Sequence, residues 1–496
     1  MRRSRAWIIL AALTLSAGCG GGGGVSPPMR LTPTPPPSGI VRISADPFTN
    51  ASSRHASEVE PSAFAAGATI VAAAQAGRFF VAGASDIAFA TSLDAGATWT
   101  AGILPGTTDI VQPGSPFQSV SDPVVAFDAA HNTWLIGSLP VRSDNGATPA
   151  ALVSRSSDGV HWNDPVQVSP GQSSIDKDWI GCDDMRTSPF FGHCYLEWDE
   201  PAANGLVHMN TSTDGGATWG PIRNTSGNLA GIGGQVIVQP SGAVIVPIDD
   251  NTEQNVFAFT SADGGNSWSQ AVHVSTIVDH FEGGGLRSGP LVSAAGDAAG
   301  NAYAVWQDCR FRARCAANDL VISTSVNGVT WTAPARIPID ALTSSADHFL
   351  PGLSVDPATA GSNAHLALTY YYYPNSACTA ASCQLFAGFI SSPNGGATWS
   401  AAVTLAGPMS LSWLAPTNQG PMVGDYCAAA FSAGRPFAIF TAARASAGGL
   451  LNEAMYASRV GALGLLSLAQ RSSAGEKPIP GIVSDHPPRV RPVRIR

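Results

Sequence analysis

Charge is what this chain has least of. Of its 496 residues only 12% are Asp, Glu, Lys or Arg, about half the roughly 25% usual in globular proteins. Among 26 basic residues, only Lys177 and Lys477 are lysines. So few charges beside 44% apolar residues exclude a disordered acidic chain, and the lack of a Gly-X-Y period excludes collagen. A formal charge of −9 leaves no electrostatic footprint for nucleic acid. No Cys-His spacing supports a metal site, so neither metal nor cofactor is expected, a structural cation aside. What the chain does have is 53 Gly, 37 Pro and 12 Trp. Its length corresponds to about three ordinary domains, a count that repeat architectures break.

The two ends are set apart by composition. Arg2, Arg3 and Arg5, an apolar run over residues 6–15 and small residues up to Cys19 form a secretory signal too short to span a bilayer. Leu15-Ser16-Ala17-Gly18-Cys19 resembles a bacterial lipobox, with Ser16 where Leu is usual; the resemblance implies that Cys19 is lipidated. Residues 1–18 are therefore read as signal peptide. Residues 19–39, five glycines and then a proline run, are read as a tether, flexible first and stiff after. The expected location is the cell envelope or surface, with membrane contact through the anchor only, or the medium if the lipobox is unused. Residues 463–496, Pro- and Arg-rich at the end, read as a disordered tail.

Between the ends one segment recurs six times. Ser-x-Asp/Asn-x-Gly-x-Thr/Ser-Trp is carried by Asp94 and Trp99, Asp214 and Trp219, Asp263 and Trp268, and Asn394 and Trp399. Shortened copies carry Asp158 and Trp162, and Asn327 and Trp331. Successive Asp/Asn positions are 64, 56, 49, 64 and 67 residues apart, the range of a four-stranded propeller blade with variable loops. The residue types describe a hairpin loop. The side-chain oxygen accepts backbone N–H groups, the Gly supplies a positive φ, and the Trp plugs between sheets. These carboxylates are structural, not six catalytic acids.

The segment resembles the Asp-box, or BNR-repeat, superfamily, whose best-known members are sialidases. The resemblance covers residues 40–462 and implies an all-β propeller in which each box joins the third and fourth strands of a blade. Six strand sets follow, over 57–104, 119–169, 174–224, 235–274, 286–338 and 347–405. Three further strand-like runs, 422–431, 436–442 and 453–458, lack a fourth strand that residues 40–44 could supply. Seven blades closed by an N-terminal strand are expected, with six as the alternative. Cys182 with Cys194, Cys309 with Cys315, and Cys378 with Cys383 are spaced as hairpin disulfides in an exported chain; Cys427 is left over.

Strand parity sorts the loops into two faces, and the resemblance implies that function lies opposite the boxes, around the central channel. Arg186 and Arg435 fall on the box side. Opposite lie Glu60, Asp122, Lys177, Asp178, His280, Glu282, Arg287, Arg310, His348, Asp425 and Tyr426. Converging carboxylates there could be an acid/base pair, a cation site or solvated rim charge. Trp198, Trp306 and Tyr372 could stack on sugars or fill the wedge between blades. Sialidases grip substrate with three arginines and use a Tyr activated by a Glu together with an Asp acid/base, so Glu60, Asp122, Asp178, Arg287, Arg310, Asp425 and Tyr426 are the candidate catalytic residues. Lys177, Trp198, His280, Glu282, Trp306, His348 and Tyr372 are the candidate substrate contacts. The family's Phe/Tyr-Arg-Ile-Pro signature is absent: Val41-Arg42-Ile43-Ser44 lacks its aromatic and its proline. Two readings result, both monomeric. One is a glycan-engaging propeller, hydrolytic if it is an enzyme and then a glycoside hydrolase of sialidase type; the other is a non-catalytic envelope scaffold that binds proteins.

Overall fold

The computed structural model describes residues 39–459, 461, 463 and 470–485, within one compact unit, Pro36–Arg496. The signal segment, Cys19 and the tether up to residue 38 lie outside the described residues. Apart from short 3-10 turns, every described element is a strand. Among the described residues no helix is long and apolar enough to cross a membrane.

Strand β1 (Ile40–Arg42) precedes the first sheet. Sheet I holds β2 (Arg54–Ala66), β3 (Thr69–Arg78), β4 (Ala84–Ser92) and β5 (Thr100–Ile103). Sheet II holds β6 (Phe117–Asp128), β7 (Thr133–Arg142), β8 (Ala151–Ser156) and β9 (Val166–Val168), joined to sheet I by the single pair Ala84 with Val120. Sheet III holds β10 (Asp176–Cys182), β11 (Cys194–Glu200), β12 (Leu206–Ser212) and β13 (Arg223–Asn224). In sheet IV, β14 (Gly231–Ile232) and β15 (Ile237–Val238) both pair β16 (Val244–Asp250), followed by β17 (Asn255–Ser261) and β18 (Val272–Thr276). Sheet V holds β19 (Ser293–Gly296), β20 (Ala302–Asp308), β21 (Asp319–Ser325) and β22 (Ala335–Arg336). Sheet VI holds β23 (Asp347–Val355), β24 (Leu366–Tyr373), β25 (Gln384–Ser392) and β26 (Val403–Ser410). A small hairpin, β27 (Ala415–Thr417) and β28 (Gly420–Met422), leads to sheet VII, which holds β29 (Ala428–Ser432), β30 (Arg435–Ala443) and β31 (Glu453–Ser458). Its fourth strand is β1, with Ile40 opposite Ser458 and Arg42 opposite Tyr456.

Each sheet is antiparallel and packs face to face on the next. Apolar clusters join I to II, II to III and so on to VI with VII, and Ile70, Ile439 and Met455 join VII back to I. The first strands lie side by side in the same cyclic order, with β29 against β2. A sheet sandwiched between two others buries both faces of its middle strands, so β4 and β31 are buried at every residue. Both strands nevertheless hold a buried carboxylate, Asp86 and Glu453; because such burial is costly, charge is sparse overall. Residues 422–431, expected as one strand, are split. Gly424, at φ 148, lies so close to Glu60 that a Cβ would stand 2.8 Å from its backbone.

The recurring segment closes the third-to-fourth-strand hairpin of sheets I to VI. In the first copy Ser92 Oγ accepts the Gly96 N–H at 2.8 Å and donates to Asp94 Oδ1 at 2.8 Å, which accepts the Thr98 N–H. The same bonds recur around Asp214, Asp263 and Asn394, and in shortened form around Asp158 and Asn327. Thr98, through hydroxyl and N–H, holds the Asp94 carboxyl down at about 2. Each Trp packs into the cluster shared with the preceding sheet: Trp99 against VII, Trp162 against I, Trp219 against II, Trp268 against III, Trp331 against IV and Trp399 against V.

Among the described residues three disulfides, Cys182–Cys194, Cys309–Cys315 and Cys378–Cys383, clip the loops, and Cys427 is a buried free thiol. The second and third close loops between second and third strands, at the end opposite the recurring turns.

Candidate functional site

The first strands carry β-bulges at matching places. Register shifts fall between Val59 and Ser62, Ser121 and Val124, Asp176 and Trp179, and Phe349 and Gly352. The bulged residues take positive φ: Glu60 at 57°, Asp122 at 52°, Lys177 at 42° and Leu350 at 51°. A bulge re-aims a side chain out of the strand's alternation. Here three of the four turn a charged group towards the middle of the ring of first strands.

Lys177 Nζ stands 2.6 Å from Asp122 Oδ1, 2.8 Å from Asp425 Oδ2 and 3.6 Å from Glu60 Oε1. Arg287, from the linker between sheets IV and V, clasps Asp425 through Nε at 2.8 Å and Nη2 at 2.5 Å, and lies 4.0 Å from Glu60. Gln75 Nε2 donates to the other oxygen of Glu60. Five side chains from sheets I, II and III and the linkers before V and VII thus meet at the end opposite the recurring turns. Exposure grades across the group: Glu60 is buried, Lys177 is 9% exposed, Asp425 13% and Arg287 17%.

Burial alone would push the Asp425 carboxyl up; Arg287 and Lys177 outweigh it and hold it well below the usual range. For Lys177 burial pulls down, but Asp122, Asp425 and Glu60 raise it well above an ordinary lysine. Glu60 is pushed up to about 7 by burial, Lys177 opposing and Asp122 and Asp425 adding to the rise. Arg78, on the second strand of sheet I, is brought down to about 10 by burial and by the charge of Arg287. The oxygens of Glu60, Asp122 and Asp425 lie close enough together to share a cation, and the Lys177 ammonium already stands among them. Asp319, Asp340 and His348 form a similar group already neutralised by Arg312 and Arg336.

The hairpin β27–β28 delivers Asp425. Its Pro421 carbonyl accepts the Arg287 N–H at 2.8 Å, Asn418 N–H bonds the Phe80 carbonyl at 2.9 Å, and Glu60 N–H bonds the Val423 carbonyl at 3.1 Å. The backbone of Arg287 is thus tied directly to the segment that carries Asp425.

Other sequence candidates fall elsewhere. The Tyr426 hydroxyl donates to the Pro123 carbonyl at 2.9 Å, while its ring faces Lys177 Nζ at 5.3 Å and the edge of Trp179 at 5.6 Å. Asp178 Oδ2 lies against Gly137 of sheet II; among the described residues neither of its oxygens has a hydrogen-bond partner, and burial, then Asp122, raises it well above an ordinary aspartate. Arg310 pairs with Asp308 at 2.6 Å. Trp198 and Trp306 are wholly buried and donate their indole N–H groups to Asn210 and Asp308. They fill the wedges between sheets and offer no face to a sugar. The tyrosines alternate as a strand requires, Tyr371 and Tyr373 packing towards sheet VII and Tyr370 and Tyr372 towards sheet V. His348 packs against Tyr370 and Tyr372, at 5.7 and 6.0 Å between ring centroids. Glu282 accepts from Ser288 at 2.6 Å and from Gln307. His280 pairs with Asp485 at 2.8 Å. Among the described residues no Tyr is hydrogen-bonded to a Glu and no three arginines converge on the Glu60–Asp425 cluster; Arg142, Arg287 and Arg310 are each taken up by a different aspartate. Gln75 and Arg78 were not legible as site residues, since both read as ordinary second-strand positions.

No family model matches the chain, and no curated protein matches it. Among solved structures it is similar to a Hadza microbial sialidase, with TM-score 0.44 and 14% identity over 82% of this chain and 66% of that one. It is also similar to the Trypanosoma rangeli sialidase in complex with sialic acid, with TM-score 0.45 and 12% identity over 86% of this chain and 60% of that one. A protein of unknown function from Dyadobacter fermentans gives TM-score 0.44 and 16% identity, over 72% of this chain and all of that one. The chain thus spans about two thirds or less of the two sialidases.

Proposed function

We propose that this chain is an exported, lipid-anchored, seven-bladed Asp-box propeller that binds a glycan at the end opposite its boxes without hydrolysing it. Seven sheets in cyclic succession and the pairing of β1 with β31 support the blade count. Convergence of Glu60, Asp122, Lys177, Arg287 and Asp425 carries the functional reading. Fixed donors on Lys177 and Arg287 alternate with fixed acceptors on three carboxylates, the pattern that vicinal hydroxyls need because each can donate and accept. The more exposed members, Arg287 and Asp425, are the ones a ligand would meet first. Against hydrolysis stands the Tyr426 hydroxyl, spent on the Pro123 carbonyl.

A glycan array probed with the full chain tests this, beside a fluorogenic sialoside assay. Retention of a defined glycan set, lost on Arg287→Met, with no sialoside turnover above the blank, is expected. Failure to retain any glycan, or retention that survives Arg287→Met in a chain with native circular dichroism, overturns the reading. Anchoring is tested separately: Cys19→Ala should move the chain from the membrane fraction to the soluble one.

A further inference from the structure

The segment 470–485 leaves the recurring-turn end and climbs the molecule. Arg471 exchanges backbone hydrogen bonds with Trp399, Ser473 Oγ donates to the Arg336 carbonyl at 2.6 Å, Glu476 pairs with Arg336 at 3.5 Å, and Ile479 N–H bonds the Arg310 carbonyl at 2.8 Å. It ends, as far as the described residues go, on the linker that carries Arg287. There Ser484 Oγ accepts the Asp279 N–H at 2.8 Å and donates to the Asp279 carbonyl at 2.7 Å. Asp485 is held at both oxygens: Oδ1 accepts the Phe281 N–H at 2.8 Å and Oδ2 the His280 Nδ1–H at 2.8 Å.

This is two-pronged recognition of a carboxylate by one backbone amide and one imidazole, the geometry that gives charge-assisted hydrogen bonds their specificity. The receptor is built independently of its occupant. His280 N–H bonds Asn318 Oδ1 at 2.8 Å, and Asn318 Nδ2 donates back to the His280 carbonyl at 2.8 Å. The buried Glu282 anchors the next turn through Ser288 and Gln307. The occupant, by contrast, lies at the surface: the Asp485 side chain is 46% exposed against 15% for His280. A fixed receptor with an exposed ligand is the arrangement of an exchangeable contact. Between receptor and Arg287 lie Gly283, Gly284 and Gly285, with Gly284 at φ 80, the one stretch of this linker with no side chain to pin it.

We propose that His280 and the Phe281 amide form a carboxylate receptor, filled in cis by Asp485, and that the segment 470–485 is a displaceable strap over the linker that delivers Arg287. The proposal stands whatever the mouth binds. Its ligand class is a carboxylate on a flexible chain or a free carboxylate ion.

Hydrogen exchange on the full chain tests it, followed over residues 276–290 in wild type, Asp485→Ala and Asp485→Asn, each with sodium acetate or with sodium chloride at equal ionic strength. Asp485→Ala should raise exchange in this linker about tenfold while β11 and β16 keep their protection. Acetate should restore it, chloride should not, and adding His280→Ala should abolish the rescue. Asp485→Asn, which keeps the shape and removes the charge, serves the same readout if alanine loosens neighbouring strands. Exchange unchanged in both variants, or a rise that acetate relieves no better than chloride, overturns the receptor.

Discussion

Arg287 and Asp425 meet as a two-point pair, Nε to Oδ1 at 2.8 Å and Nη2 to Oδ2 at 2.5 Å, although 138 residues separate them along the chain. Neither stands on a strand of its own sheet. The pair therefore reports that the linkers before sheets V and VII have both closed onto the ring of first strands. Lys177 binds the same carboxylate from the other side.

Removing Lys177 takes from Asp122 its ion-pair partner and from Asp425 and Glu60 one of theirs, in a buried space. Loss of one partner from a buried pair typically costs about 3–5 kcal/mol. Lys177→Met should fall in that range by urea denaturation, and adding Glu60→Gln should recover part of it. Equal stability of Lys177→Met and wild type would show that the cluster is solvated enough to dispense with its cation.

Stability should decline as pH rises through neutrality. Burial pushes Glu58, Glu60 and Asp86 up to about 7 in the folded chain, whereas unfolded carboxyls lose their protons at about 4. Between these values the native state binds more protons than the unfolded one, so unfolding free energy falls as pH rises from about 4 through about 7. Asp425, shifted the other way, contributes stability above the unfolded value that is lost only in stronger acid. Melting temperatures from pH 5 to pH 8 should slope downward, and Glu58→Gln should flatten the slope by about one proton's worth. A rising slope would contradict the assignment.

The recurring turn makes a steric claim. Gly96 has φ 83, and a Cβ there would enter the Phe437 ring of the neighbouring sheet. Gly96→Ala should destabilise by about 1–3 kcal/mol, read by calorimetry. Gly114, also at positive φ but with open space around it, should tolerate alanine better; similar losses at both would leave backbone strain, not packing, as the cause.

The Cys309–Cys315 clip closes a short loop, for which chain entropy gives about 2 kcal/mol. Cys309→Ser with Cys315→Ser should lose that much and leave sheets I to III unperturbed by hydrogen exchange. Collapse of the whole fold would mean that the clip holds more than its own loop.

Much of the framework was legible because it repeats. Six Asp/Asn-Gly-Trp turns marked six hairpins, and an unpaired run at residues 40–44 anticipated the partner of β31, realised as Ile40–Arg42. Paired cysteines five to twelve residues apart could be matched by spacing alone. The charged cluster was legible only as a set of candidates. Which of them meet depends on bulges at Glu60, Asp122 and Lys177, and two of those precede a recurrent cue, Glu60-Pro61 and Asp122-Pro123, echoed by Leu350-Pro351. Trp198 and Trp306 show the converse limit: an aromatic near a strand end reads alike whether it faces a ligand or a neighbouring sheet. The seat of Asp485 on His280 was not foreseeable, since the two are 205 positions apart and composition marked that segment only as tail.

The pairing of Ile40–Arg42 with the strand ending at Ser458 also sets the order in which the chain can be finished. A segment made near the beginning must wait, apolar and unpaired, until more than four hundred later residues have been made. Contacts of such separation are slow to form and leave an open strand edge exposed to other chains meanwhile. Completion is thus a late event, and a helper that shields one short strand would protect the entire ring.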